Sequence, residues 1–126
     1  MIFVFGGAYQ GKLDFAFEKF GVDKADVSVC SKDDATLCFD KKVIYRIEEF
    51  VFGCIERGES PVEYLKANLN RLEDKIIICT DVSQGIVPMD KTERAWREDN
   101  GRCMNMISAK ADEVYRVFCG IGSKVR

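Results

Sequence analysis

The first twenty residues constrain the fold more than any other part of the chain. An apolar run at residues 2–5 leads into Gly-Gly-Ala-Tyr-Gln-Gly-Lys-Leu at residues 6–13, and apolar residues then recur at helical spacing as far as Gly21. A buried strand, a glycine-rich loop and a helix in this order are typical of the P-loop, where backbone N–H groups at a helix N-terminus bind phosphate. The predicted phosphate-contacting residues are Gly6, Gly7, Ala8, Tyr9, Gln10, Gly11, Lys12 and Leu13.

The residue types at individual positions of this loop have chemical explanations. Gly6 and Gly11 permit a tight backbone path on which a side chain would clash. Lys12 brings a positive charge to the outer phosphates, so we predict a binding and a catalytic role for it. Leu13 stands where the motif carries Ser or Thr, and its side chain has no oxygen to coordinate Mg²⁺. The loop therefore predicts ATP or GTP as the ligand, whereas Leu13 weakens the prediction of a bound Mg²⁺.

The composition excludes several classes of function. The 19 basic and 21 acidic residues give a net charge of −2, so we expect neither nucleic acid nor a membrane surface as a partner. The chain has no histidine, which excludes imidazole as nucleophile, base or metal ligand. Its 6 cysteines show no Cys-x-x-Cys spacing, and we expect them to be buried, reduced thiols. With no leader-like N-terminus and no long apolar run, we expect a cytoplasmic protein.

The hydrophobic pattern predicts an alternation of strands and helices after the first helix. The predicted elements are strands at 27–30 and 35–39, a helix at 43–55 capped by Asp40, a helix beginning at Ser60, a strand at 75–80, a helix at 91–110 and a strand at 112–119. Nearly continuous apolar strands between helices are typical of a mainly parallel sheet covered on both faces. We therefore predict an α/β fold, a P-loop NTPase-like three-layer sandwich, as a single nucleotide-binding domain over residues 1–126.

Three further residues are candidates for the site. Asp81 follows the strand at 75–80, at the sheet edge where ligands of parallel sheets bind. We predict a catalytic and metal-binding role for Asp81, with capping of the next turn as an equal alternative. Ser31, after the second strand, is a predicted nucleotide contact or an ordinary turn residue. Trp96 either stacks on a base or, as we favour, packs in the core or at a subunit interface.

Short blocks in the last third of the chain resemble a known enzyme family. They lie at residues 81–88, 101–102, 111–115 and 120–125, and the Gly-Gly-Ala at 6–8 agrees with them. Taken together and in order, they resemble the adenosylcobinamide kinase/adenosylcobinamide-phosphate guanylyltransferase family of cobalamin biosynthesis. The resemblance covers residues 1–20 and about 76–126, and the middle of the chain matches poorly.

The resemblance implies a two-step, oligomeric enzyme. Such enzymes phosphorylate a hydroxyl of adenosylcobinamide with ATP or GTP, and then transfer GMP through a guanylylated histidine. Arg102 lies in the matched Gly-Arg pair and is a predicted phosphate contact, while Thr80-Asp81 replaces the family's Asn-Glu and keeps an acid. The absence of histidine excludes guanylyl transfer by that route. Leu13 and a shortened segment before Ser60 weaken the prediction of kinase activity.

Three hypotheses remain open from the residues alone. The chain is an active kinase with adenosylcobinamide as acceptor, a degenerate regulatory homologue that binds a nucleotide or corrinoid, or a structural remnant that keeps only fold and oligomerisation. We predict a nucleotide-binding protein that forms a homo-oligomer.

Overall fold

A computed structural model describes residues 1–82 and 90–126. Its strands are β1 (Ile2–Gly6), β2 (Val27–Val29), β3 (Val43–Tyr45), β4 (Ile76–Thr80), β5 (Glu113–Phe118) and β6 (Ile121–Lys124). Its α-helices are α1 (Lys12–Phe20), α2 (Ile47–Glu56), α3 (Pro61–Ala67), α4 (Leu69–Leu72) and α5 (Lys91–Lys110), and a 3₁₀ turn spans Lys24–Asp26.

The strands form one six-stranded sheet in the order β2-β3-β4-β1-β5-β6. The pairs from β2 through β5 are parallel, and β6 runs antiparallel to its neighbour β5. Because β1 lies between β4 and β5, the glycine-rich loop that follows β1 emerges at the middle of the sheet. The predicted α/β fold with a mainly parallel sheet is confirmed.

Helices cover both faces of this sheet. On one face, Phe3 and Ile77 pack with buried side chains of α2, α3 and α5, such as Phe50. On the other face, Val4 and Ile78 pack with Ala16 of α1. Alternate side chains of β1 and β4 thus enter two different cores, which explains why these strands are apolar at nearly every position. The result is the predicted three-layer arrangement.

The segment between β2 and α2 differs from the prediction. Residues 35–39 form no strand, and residues 43–45 form β3 where a helix capped by Asp40 was predicted. Val43 and Ile44 are fully buried beside β4, and the helix begins only at Ile47. The prediction was wrong because two adjacent apolar residues fit the helical stripe and a short buried strand equally well.

The end of the chain also contains an element that the sequence pattern did not indicate. The last predicted element was the strand at 112–119, but a two-residue turn at Cys119 and Gly120 leads from β5 into a further strand, β6. Both turn residues have positive φ, 51° and 78° respectively. This is the backbone conformation of the type I′ turn that commonly joins two antiparallel strands.

Several local predictions are confirmed. The helices beginning near the glycine-rich loop and at residue 91 have the expected bounds, and Ser60 caps α3 by accepting a hydrogen bond from the Glu63 N–H at 3.2 Å. The predicted burial of cysteines holds for Cys54, Cys79 and Cys103; Cys38 and Cys119 are exposed, so the prediction was wrong for them. Among the described residues, no helix is both long and apolar enough to span a membrane.

Candidate functional site

The glycine-rich loop, residues 6–13, connects the central strand β1 to α1. Its first residue is tightly packed, since a Cβ built on Gly6 would lie 2.4 Å from the Val117 carbonyl oxygen. Its last glycine, Gly11, has φ 82° at the N-terminus of α1, a conformation that favours glycine. The sequence thus folds here as a tight loop that ends at a helix N-terminus, the geometry in which backbone N–H groups bind anions.

The turn between β5 and β6 supports the loop from the side. The Gln10 carbonyl oxygen accepts a hydrogen bond from the Gly120 N–H at 2.8 Å, and the Gln10 Oε1 accepts one from the Cys119 N–H at 2.6 Å. A Cβ on Gly11 would lie 3.3 Å from the Gly120 Cα. The loop conformation is therefore fixed by contacts with a distant part of the chain as well as by its own glycines.

Lys12 is buried at the start of α1, with 5% of its surface exposed. Its Nζ donates a hydrogen bond to the Gly7 carbonyl oxygen at 2.7 Å. Burial lowers the pKa of this amine, and the nearby Glu48 carboxylate opposes that effect. The ammonium is thus held against the loop by a neutral acceptor, which a phosphate oxygen is chemically suited to replace.

An open cavity of about 550 Å³ lies against the loop. Residues 8–14 contribute to its lining together with Tyr45, Arg46, Glu48, Glu49, Thr80, Val82 and Trp96. Its volume falls within the range usual for sites that bind small molecules and cofactors. Apart from Trp96 of α5, these residues lie at or just after the carboxyl ends of β1, β3 and β4, where open parallel sheets bind their ligands.

Glu48 is a lining residue that the sequence reasoning missed. It is only 4% exposed, and its Oε1 accepts a hydrogen bond from the Thr80 N–H at 2.9 Å. Burial raises the pKa of Glu48, and the hydrogen bond from Thr80 partly opposes this. Because residues 43–55 were predicted as one helix, nothing in the pattern placed Glu48 just beyond a strand end.

Arg46 was missed for the same reason. It sits between β3 and α2 with φ 64°, in the left-handed region, and its side chain is half exposed. Its Nε lies 3.8 Å from Glu48 Oε2, and its Nη2 lies 4.0 Å from Glu49 Oε1. A short chain segment thus brings one cation and two carboxylates to the cavity that Lys12 also lines.

Trp96 is held at the cavity by α2. Its Nε1 donates a hydrogen bond to the Glu48 carbonyl oxygen at 2.8 Å, and its ring packs edge-on against Phe52 with centroids 5.2 Å apart. These contacts agree with the favoured prediction of a packing role, and they leave part of the ring lining the cavity.

Five predicted site residues are not among those that line the cavity: Gly6 and Gly7 of the loop, and Ser31, Asp81 and Arg102. The backbone N–H of Asp81 donates to the Gly6 carbonyl oxygen at 2.8 Å. Ser31 accepts a hydrogen bond from the Asp33 N–H at 3.1 Å within a turn beside a separate, smaller cavity. Arg102 is mostly exposed and donates to Asp99 Oδ1 at 2.7 Å. The block at 81–88 was one of those that carried the resemblance. Its residues 83–88 lie in the segment 83–89, outside the described residues.

The described residues do not reproduce a P-loop metal site. Leu13 lines the cavity without a side-chain oxygen, and the described ranges contain no group of three or more His, Cys, Asp or Glu side chains placed to hold a metal ion. At Leu13 the chain therefore lacks the Mg²⁺ ligand that the motif usually supplies.

Comparison with known proteins finds a family that matches most of the chain. The family described as cobinamide kinase / cobinamide phosphate guanyltransferase matches residues 33–125. Two similar proteins are each called bifunctional adenosylcobalamin biosynthesis protein CobU. The one from Salmonella typhimurium is 33% identical over 81 residues, and the one from Escherichia coli is 31% identical over 81 residues. Each alignment covers 63% of this chain and 45% of the relative, so the match spans less than half of each relative's length.

The range of the match differs from the range over which the resemblance was expected. The middle of the chain, predicted to match poorly, lies inside the matched range, while the glycine-rich loop precedes it. The matched range includes β3, α2 and the turn that supports the loop. On the length and position of this match, the chain belongs to the cobinamide kinase / cobinamide phosphate guanyltransferase family.

Proposed function

We propose that this chain binds a nucleotide, ATP or GTP, by its phosphates in the cavity beside the glycine-rich loop. The observation that carries the proposal is the buried Lys12 ammonium at the N-terminus of α1. An ammonium group is costly to remove from water unless it is paired, and its hydrogen-bond partner here is the neutral Gly7 carbonyl. A phosphate oxygen at the same place would form a charge-assisted hydrogen bond, which is about twice as strong as a neutral one.

The reaction that this pocket would serve is phosphoryl transfer to a hydroxyl of adenosylcobinamide. The bond between the γ-phosphorus and its bridging oxygen breaks, a bond from the hydroxyl oxygen to that phosphorus forms, and the hydroxyl proton is released. Lys12 and the loop amides would stabilise charge on the transferred group and on the leaving diphosphate. Asp81, which follows β4 at the same sheet edge, stays a predicted residue for orienting the acceptor.

Guanylyl transfer through a histidine, the second activity in the family's description, is not part of the proposal. This chain has no histidine to carry a guanylyl group. The alternative function is nucleotide binding without catalysis, in a protein that regulates or accompanies an active enzyme. Leu13 favours this alternative, because the usual hydroxyl ligand of the nucleotide-bound Mg²⁺ is absent.

Calorimetric titration tests the binding step. ATP and GTP are titrated with and without Mg²⁺, and adenosine and guanosine serve as ligands that lack phosphates. We expect binding of at least one triphosphate and a loss of about tenfold or more in Lys12→Ala, since hydrogen bonds to charged groups contribute about 1.5–3 kcal/mol. Lys66→Ala, which removes a half-exposed lysine of α3, is the matched control and should bind like the parent protein. Absence of any triphosphate binding at millimolar concentration contradicts the proposal.

Transfer of labelled γ-phosphate to adenosylcobinamide separates the kinase from the binding-only alternative. Label in the corrinoid that is lost in Lys12→Ala supports the kinase. Nucleotide binding with no label transferred supports the alternative. Transfer that is unchanged in Lys12→Ala means that the reacting phosphate does not lie at this loop.

A further inference from the structure

A second cation, Arg46, lines the cavity, and its ion pairs with neighbouring carboxylates are long. We propose that Arg46 is a phosphate-binding residue that contacts the triphosphate from the β3–α2 segment, together with Lys12 from the loop. This inference rests on the proposed nucleotide binding and goes beyond it, because no P-loop pattern in the sequence involves residue 46.

The contacts of Arg46 are long for an arginine held in a structural role. Its two ion pairs measure 3.8 Å and 4.0 Å, beyond the range of charge-assisted hydrogen bonds, and half of its side chain is exposed. By comparison, Arg102 makes a 2.7 Å hydrogen bond to Asp99. The Arg46 guanidinium is therefore oriented toward the cavity by two carboxylates without being engaged by them, and its planar set of donors suits bidentate contact with phosphate.

The charges around the cavity also favour a phosphate-binding role for Arg46. Lys12 and Arg46 are the cations among the described lining residues, and Asp14, Glu48 and Glu49 are the carboxylates. Without Arg46, a polyanion would meet one cation and three carboxylates. The positive charge of Arg46 contributes to lowering the pKa of Lys12, so the two cations act on each other across the site. A bound polyphosphate would relieve that repulsion, and the two cations together offset much of the acidic lining.

The backbone at Arg46 offers a way to separate function from structure. A left-handed φ of 64° is uncommon for a residue other than glycine. Arginine at this position is therefore a locally unfavourable choice, which is explained if its side chain is needed in the cavity. A glycine would adopt the same backbone without strain and would remove the guanidinium. A purely structural arginine predicts that this replacement weakens the fold.

The experiment compares Arg46→Gly, Arg46→Gln and Arg46→Lys with the parent protein. The probes are inorganic tripolyphosphate and the triphosphate found to bind, measured by calorimetry, and each variant is also melted. We expect Arg46→Gly to melt at or above the temperature of the parent, while its Kd for both probes rises about tenfold or more. Arg46→Gln should lose the same affinity, and Arg46→Lys should lose less because it keeps the charge without the fork.

The outcomes distinguish this inference from the proposed function. Tight binding by the parent, loss in Lys12→Ala and unchanged Kd in Arg46→Gly and Arg46→Gln would overturn the role of Arg46 and leave the nucleotide site intact. Loss of affinity for the nucleotide without loss for tripolyphosphate would also overturn it, because the contact would then not be to phosphate. If the melting temperature of Arg46→Gly falls enough to account for the lost affinity, the role of Arg46 is structural instead.

Discussion

Replacing Gly6 with alanine tests the packing that fixes the start of the glycine-rich loop. Gly6 is the last residue of β1, and an added Cβ would lie 2.4 Å from the Val117 carbonyl oxygen and 3.4 Å from its carbon. Real Cβ contacts below 3.0 Å are essentially absent, so the two backbones must separate by at least about 0.6 Å. The obstructing atoms belong to the main chain of β5, which pairs with β1 and cannot rotate away as a side chain would.

The cost follows from this geometry. Overpacking that forces a backbone shift costs about 1–3 kcal/mol of unfolding free energy. Alanine recovers a part, about 0.4–1 kcal/mol, by restricting the unfolded chain. We therefore expect Gly6→Ala to lower the unfolding free energy by about 1–2 kcal/mol, and its melting temperature by about 3–10 °C for a domain of this size. Because the loop begins at this residue, affinity for the triphosphate should fall as well.

Urea denaturation and thermal melting measure the change, with Gly101→Ala as the matched control. Gly101 lies within α5, where an added Cβ meets no atom within 4 Å. Alanine there should raise the unfolding free energy by about 0.5–1 kcal/mol, since glycine is a poor residue in a helix interior. Parent-like stability of Gly6→Ala would refute the reasoning, because β1 could not then end against Val117 as described.

Three further predictions concern the cavity and the thiols. Burial raises the pKa of Glu48 above that of an unfolded glutamate, so folding takes up a proton between the two pKa values, and the free energy of unfolding falls as pH rises through that interval. In urea titrations, Glu48→Gln should be more stable than the parent at pH 7, and the difference should shrink toward about pH 4. Leu13→Ser should increase the Mg²⁺ dependence of nucleotide affinity in calorimetry, and an unchanged dependence means that the position does not face the ion. With a thiol reagent, the exposed Cys38 and Cys119 should react before the three buried cysteines, and bound triphosphate should slow Cys119, whose N–H contacts the loop.

The parts of the fold that the sequence predicted are those determined by local signals. The loop and the start of α1 follow from closely spaced glycines, and Ser60 with Pro61 marks the start of α3 through capping and a preset φ. The apolar run of β4 is too long and too continuous for anything but a buried strand or helix, and its flanking residues favour the strand. None of these signals depends on distant parts of the chain.

The parts that the sequence did not predict depend on tertiary contacts. Val43 and Ile44 form a strand because β2 and β4 lie on either side of them, and no local signal carries that information. The error had a consequence for the site, because it concealed that Arg46 and Glu48 follow a strand end. A positive φ at an arginine is likewise invisible in a sequence pattern, since glycine or asparagine is the expected residue there.

Placement at the correct sheet edge also does not determine which side chains line a site. Asp81 follows β4 at the expected edge, yet its neighbours Thr80 and Val82 line the cavity. Side chains alternate between the two sides of a strand, so a shift of one residue decides which of them faces a ligand.

The structure joins the glycine-rich loop to the part of the chain that the family matches. The glycine-rich loop precedes the range that matches the family, and the turn at Cys119 and Gly120 lies inside it. Two hydrogen bonds from that turn to Gln10 connect them across more than a hundred residues. The loop conformation therefore depends on residues of the matched range. Since the β3–α2 segment that carries Arg46 and Glu48 also belongs to that range, the glycine-rich loop and Asp14 form one side of a cavity whose other residues come from the family-matched part of the chain.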